Sequence, residues 1–192
     1  KNGGGLTVQI ASFPSAAGLD DFDWRISSAE VSADGAFSLY PGVNRVLILL
    51  EGDGMELTPR EGEPLRLTTL SAPLAFPGEV PWSSRLIGGP VQDLNIMWRR
   101  NCVDARTRCV DGDCSVQARS DWTLFFCARG AVVAELDGQS QPLAMGDSIQ
   151  IEGRQSQVLT LHWPNKCGHG WLIDLLQVLP TAQSHFESYM AG

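Results

Sequence analysis

The sequence predicts an all-β protein made of two similar halves packed as one unit, and three observations carry that expectation. Apolar segments of strand length recur between Gly, Pro and Asp clusters along the whole chain. No helix-length amphipathic period competes with them. The order of segments in the first half returns in the second.

The segments are 6–12, 22–32, 45–50, 65–76, 82–87 and 92–99, then 122–128, 131–136, 148–152, 157–163 and 171–179. Such spacing indicates a sandwich or barrel, with "TAQSHFESYMAG" at the C-terminus the one candidate for a short helix. Within the repeat, "LSAPLAFPGEVPWSSRL" (70–86) lies over "MGDSIQIEGRQSQVLTL" (145–161) without a gap, Gly78 on Gly153. "LILLEG" (47–52) lies over "FFCARG" (125–130), and "DLNIM" (93–97) over "DLLQV" (174–178), which pairs Asp93 with Asp174 and makes "WLIDLLQVL" a strand. The 192 residues therefore read as a single domain: an N-terminal half (1–100), a connector (101–118) and a C-terminal half (119–192). The connecting stretch 99–119 is polar and carries Cys102, Cys109 and Cys114; without a CxxC pair or a nearby histidine it reads as a solvated linker before a zinc knuckle.

A formal charge of −8, a pI near 4.8 and only two lysines argue against nucleic acid or an anionic membrane as partner. No apolar run is long enough to cross a bilayer. Five cysteines without a disulfide framework suit a reducing compartment, so a cytoplasmic location is expected. The chain begins at Lys1 without methionine, and the natural start is expected upstream.

Two strands carry polar residues on one face. In "FDWRISSAEV", alternation puts Arg25 and Ser27 opposite Trp24 and Ile26; in "QDLNIMWRR" it puts Asp93, Asn95, Met97 and Arg99 opposite Leu94, Ile96 and Trp98. The polar sets have the composition of a pocket wall, with Arg25 beside Asp93 and Asn95 at a concave barrel mouth. A buried guanidinium needs a carboxylate or several acceptors, and Asp93 is the expected partner. The competing reading makes Arg25 with Asp93 or Glu30 a register-fixing ion pair, and Trp24, Ile26 and Trp98 plain core or a dimer surface.

A strand, then "LLEG" and a hairpin, then "FPGEVPW" is the order found in cupins. More specifically, the chain resembles the HutD/Ves family through "KNGGGLTVQI", "FDWRISSAEV", "DGAFSLYPGVNRVLILLEGDGMEL", "LAFPGEV" and "GGPVQDLNIMWRR", which cover most of residues 1 to 100 in order. The resemblance implies a bicupin of two RmlC-like jelly-roll halves. It also implies association with histidine-degradation genes and a modulating role; other members are described as stress-induced, and no catalytic activity is attached to the family. The metal-binding histidines of cupins are absent, no histidine preceding His162, so neither metal nor other cofactor is expected. Arg45 falls about where cupins carry a metal-binding glutamate and is the second arginine expected at the site. Asn2 and Thr7 enter because the family motif places them.

The expected function is metal-independent binding of a small anionic metabolite of the urocanate or formylglutamate class. The ligand would be held by Arg25, Arg45 and Arg99, because guanidinium groups meet carboxylates through paired charge-assisted hydrogen bonds. Ser27, Asp93, Asn95, Met97, Thr7, Asn2 and Tyr40 complete the candidate set. One alternative is a metal-independent isomerase or lyase using Tyr40 or Asp93, with Glu30 a further acid–base candidate. Another is an interaction module whose tryptophans form an oligomer face, a homodimer being one possible assembly. His162 and the "CGHGW" segment, with Cys167 and His169, lack a third orienting group and read as incidental loop residues.

Overall fold

The computed structural model describes residues 5–154 and 157–178, and every regular element among them is a β-strand. The N-terminal half holds β1 (Thr7–Phe13), β2 (Trp24–Val31), β3 (Gly35–Ala36), β4 (Val43–Glu51), β5 (Met55–Pro59), β6 (Leu65–Leu67), β7 (Leu74–Pro77), β8 (Trp82–Leu86) and β9 (Val91–Arg99). The C-terminal half holds β10 (Val103–Asp111), β11 (Cys114–Ala118), β12 (Trp122–Arg129), β13 (Val132–Leu136), β14 (Gln139–Leu143), β15 (Ser148–Glu152), β16 (Gln157–His162) and β17 (His169–Gln177). The candidate helix at the C-terminus, like Asn2, lies outside the described residues. No helix among the described residues is long and apolar enough to cross a membrane.

The repeat is a repeat of topology. Sheets ordered β1-β2-β9-β4-β7 and β3-β8-β5-β6 build the first barrel; β10-β17-β12-β15 and β11-β16-β13-β14 build the second. Leaving β1 aside, each strand of the first barrel has its counterpart eight strands later. Two differences from the sequence reading have a common cause, which is that alternation sees apolar faces and little else. The stretch read as a connector is two strands, β10 pairing with β17 and β11 with β16. Its polarity reflects a sheet-edge position where Asp104, Arg106 and Arg108 reach water. The single expected strand 65–76 is two, broken by a turn in which Ser71 donates its N–H to Thr68 O (3.1 Å) and accepts the Thr68 N–H on Oγ (3.0 Å). The short strands β3, β5 and β14 lie outside the expected segments; β14 is reached by a two-residue turn at Asp137–Gly138, both at positive φ, the geometry that suits a twisted hairpin.

Alternation assigns each long strand two destinations. Leu47 and Leu49 of β4 enter the first barrel with Met55, Leu57, Leu67 and Phe76, while Phe125 and Cys127 of β12 enter the second with Leu159, Leu161 and Trp163. The opposite faces meet each other. Trp24, Ile26, Val46, Ile48, Ile96 and Trp98 pack against Trp122, Leu124, Phe126, Trp171, Ile173 and Leu175, so a shared core fuses the halves. Trp24 is fully buried, with its ring centroid 5.6 Å from that of Trp122. These tryptophans are spent inside the chain and do not form an oligomer face. Burying a side chain of this size contributes about 2–3 kcal/mol.

Candidate functional site

With Trp24 and Ile26 committed to the shared core, Arg25 and Ser27 must face the first barrel, and strand pairing fixes their neighbours. Three rows cross β2, β9 and β4: Arg25, Met97 and Arg45; Ser27, Asn95 and Leu47; Ala29, Asp93 and Leu49. At about 4.8 Å between strands and about 6.6 Å per two residues, the arginine backbones stand about 10 Å apart and the arginine row about 13 Å from the Asp93 row. The barrel floor thus runs from guanidinium through amide to carboxyl. A cavity of about 550 Å³ stands over it, lined by Arg25, Ser27, Arg45, Asp93, Asn95 and Met97, with Thr7 and Tyr40 at its edge.

Residues 33–40 form a strap along the cavity. Gly35 and Ala36 pair with β8, Phe37 donates its N–H to Trp82 O (2.9 Å), and Tyr40 donates to Gly78 O (2.9 Å). Gly78 returns a bond to Val43 O (2.7 Å), and a Cβ there would sit 2.7 Å from the Tyr40 carbonyl oxygen, closer than atoms pack. The glycine of "FPGEV" is therefore a condition for Tyr40's position.

Arg45 is a buried guanidinium, 5% exposed, with its guanidinium carbon 5.1 Å from the Phe37 and Phe76 ring centres and 5.7 Å from that of Tyr40. One Nη donates to Ser38 O at 3.4 Å, and Nε has no partner. Burial lowers its pKa, opposed by Tyr40 and Asp93. Arg25 is half-buried and donates to Gln9 Oε1 (3.0 Å) and Ser27 Oγ (3.2 Å); burial lowers its pKa too, opposed by Tyr40. Asp93 is 4% exposed, and burial pushes its carboxyl up to about 7 against the pull of Arg45 and a hydrogen bond from the Ala29 backbone. Its Oδ1 has no partner, nor has Asn95 Oδ1.

Three expectations need correcting. Arg25 does not take Asp93 or Glu30 as its ion-pair partner; Gln9, on the neighbouring β1, and Ser27 satisfy it at closer range. Arg99 shares the face of Asp93 but lies beyond the cavity, where it donates to the carbonyls of Phe22 (2.8 Å) and Asp20 and sits 5.6 Å from the Phe22 ring centre, tying down the loop before β2. Asp174 is not the structural counterpart of Asp93. With Leu47 matched to Phe125, strand pairing places Leu172 opposite Asn95's position, Gly170 at Asp93's and Asp174 at Met97's. A slip of four residues keeps every side chain on its own face, so alternation could not detect it.

That correspondence explains why the second barrel is filled at this place. A Cβ on Gly170 would lie 2.4 Å from the Phe125 ring, which packs edge-on to Trp163 at 6.0 Å and fills the space that Asp93 and Asn95 border in the other half. Asp174 accepts from Thr123 Oγ1 (2.9 Å) and Ser120 Oγ (3.3 Å). Among the described residues no cluster of three or more His, Cys, Asp or Glu side chains is placed to hold a metal. Cys109 and Cys114 are strand residues, and His162 pairs through Nδ1 with Asp113 (2.6 Å) on the surface. The aromatic cage of Arg45 was missed: Phe37 lies outside any strand pattern, and the Arg45–Phe76 pairing of β4 with β7 is a long-range register that composition does not encode.

Two antiparallel jelly-roll barrels joined back to back, the first with a polar cavity, are a two-barrel cupin fold. The chain belongs to the HutD family, whose model matches residues 1–168. It is 35% identical over 154 residues to an uncharacterised 21.2 kDa protein of the hutC 3′ region of Pseudomonas putida, covering 80% of each chain. It is 38% identical over 152 residues to protein Ves of Citrobacter koseri, covering 78% of this chain and 71% of that one. Among solved structures it is similar to HutD from Pseudomonas fluorescens SBW25, with 32% identity and a TM-score of 0.80 over 93% of this chain and 92% of the other.

Proposed function

We propose that the N-terminal barrel binds a small organic carboxylate and that this binding is how the protein, as a HutD-type chain, modulates histidine utilisation. The observation that carries the reading is Arg45: a guanidinium 5% exposed, caged by three rings, with a buried Nε left without a partner at a cavity wall. Leaving such a donor unmet costs stability, and a carboxylate arriving from solvent would meet it with a charge-assisted bond while Arg25 approaches from the far side of Met97. The occurrence of a relative in the hutC 3′ region supports carboxylates of histidine breakdown, of the urocanate or formylglutamate class, as the candidates.

Isothermal titration with urocanate and with N-formyl-L-glutamate tests this. The wild-type chain is expected to bind at least one of them, with Arg45→Gln weakening it by about thirtyfold or more, the range seen when one partner of a buried charge pair is removed. No heat from either compound, or equal affinity in the variant, would overturn the reading.

A second reading is favoured by one observation, the Asp93 carboxyl held near neutrality in a cavity, as suits a general base. It makes the barrel a metal-independent isomerase or lyase with Asp93 and Tyr40 as the acid–base pair. Turnover of a bound acid that disappears in Asp93→Asn would favour it.

A further inference from the structure

We propose that the Asp93 end of the cavity is a second subsite, an acceptor for an N–H group carried by the ligand at the end away from its carboxylate. The inference rests on the carboxylate reading above and adds the other half of the ligand's chemistry.

Two buried acceptor atoms without a partner, Asp93 Oδ1 and Asn95 Oδ1, belong to residues that line the cavity. Arg25 bonds to Gln9 and Ser27, Arg45 bonds to Ser38 within its cage of rings, and no guanidinium bonds to either oxygen. The ion pairs of the described residues do not include Asp93. A donor carried by an occupant would satisfy these oxygens.

The second barrel serves as an internal control. It builds the same four strands in the same order with Leu172 and Gly170 where Asn95 and Asp93 stand, and it closes the space with Phe125. The fold has no need of a carboxyl there. Among the described residues Asp93 is the one carboxyl with a buried, unpartnered oxygen, and leaving it so costs stability.

Geometry then sets the ligand's shape. The arginine row and the Asp93 row are separated by about 13 Å of backbone, and their side chains project from the same face of the sheet. A short molecule lying along β9 presents one end to guanidinium groups and the other to acceptors. It crosses Asn95 on the way. A dicarboxylate without a donor would set an anionic group near Asp93 with no N–H to offset it, whereas N-formyl-L-glutamate carries an N–H beside its second carboxylate.

Matched pairs of probes test this by titration: N-formyl-L-glutamate against glutarate, and urocanate against 3-(3-furyl)acrylate, which keeps the acrylate and a five-membered ring but has no N–H. The donor-bearing member of at least one pair is expected to bind roughly ten- to a hundredfold more tightly, as for a hydrogen bond to a charged group. In Asp93→Leu that preference shrinks to about threefold or less while the furyl compound or glutarate binds at least as well as before. Asp93→Ala serves as a second variant if melting shows the first to be unfolded. Equal affinities within both pairs, or a preference that survives the loss of Asp93, would overturn the acceptor subsite while leaving the carboxylate site standing. Absence of binding by all four compounds would overturn both.

Discussion

Arg45 and Asp93 face one cavity from neighbouring strands, two rows apart, and each keeps a buried polar atom without a partner, Nε on one and Oδ1 on the other. They influence each other electrostatically without forming an ion pair, since Arg45 holds Asp93 down while burial drives it up. A site arranged for structure alone would have closed that pair.

The raised carboxyl gives a stability prediction. Asp93 in the folded chain titrates at about 7 against an ordinary value of 3.8, so the fold holds a proton that the unfolded chain releases. Its contribution is most favourable below pH 4 and is lost as pH rises to 7, by up to roughly 4 kcal/mol. Asp93→Asn should therefore gain stability over wild type progressively between pH 4 and 7 and level off above. Urea melts of both proteins across that range check it; a difference independent of pH would contradict it.

The same group makes binding of donor-free acids depend on pH. Glutarate, fully ionised above pH 6.5 or so, should bind more weakly as pH rises through about 7, because Asp93 becomes a second anion in the cavity. The other titratable groups lining the cavity are Arg25, Glu30, Asp34, Tyr40 and Arg45. Titrations at pH 6 and pH 8 should differ by several-fold in wild type and converge in Asp93→Leu.

Arg45 and Arg99 should separate cleanly. Arg99→Ala removes bonds to the Phe22 and Asp20 carbonyls, and is expected to lower stability by about 1–3 kcal/mol with carboxylate affinity within about twofold of wild type. Arg45→Gln should do the reverse, weakening affinity about thirtyfold at little cost in melting temperature. Calorimetric titration beside thermal melts distinguishes them.

The shared core predicts that the halves unfold together. Trp24→Ala should cost about 3–5 kcal/mol, and the loss should appear as one shifted transition because Trp24 packs against Trp122 of the other barrel. Two separate transitions in a scanning calorimeter would contradict a fused core. Gly78→Ala is a local counterpart: it should displace the Tyr40 carbonyl and weaken binding several-fold without splitting the transition.

Much of this was legible in the sequence. Period-two alternation assigns the faces of β2 and β9 as the structure has them, so Arg25, Ser27, Asp93, Asn95 and Met97 belong together in the sequence pattern as they do at the cavity wall. Alternation carries no register, however, and an even slip left Asp93 matched with Asp174 instead of Gly170. Nor does it show where a barrel ends, so Arg99 was counted with a cavity that stops short of it. Polar edge strands such as β10 look like linkers because one of their faces is wet, and the Arg45 cage depends on three rings from separate segments.

The most direct measurement is a crystal structure of the chain soaked with urocanate or N-formyl-L-glutamate at saturating concentration. Carboxylate oxygens are expected within about 3 Å of Arg45 Nε, with the ligand's N–H turned toward Asp93. Density for the compound elsewhere on the surface, with water alone beside Arg45, would contradict it.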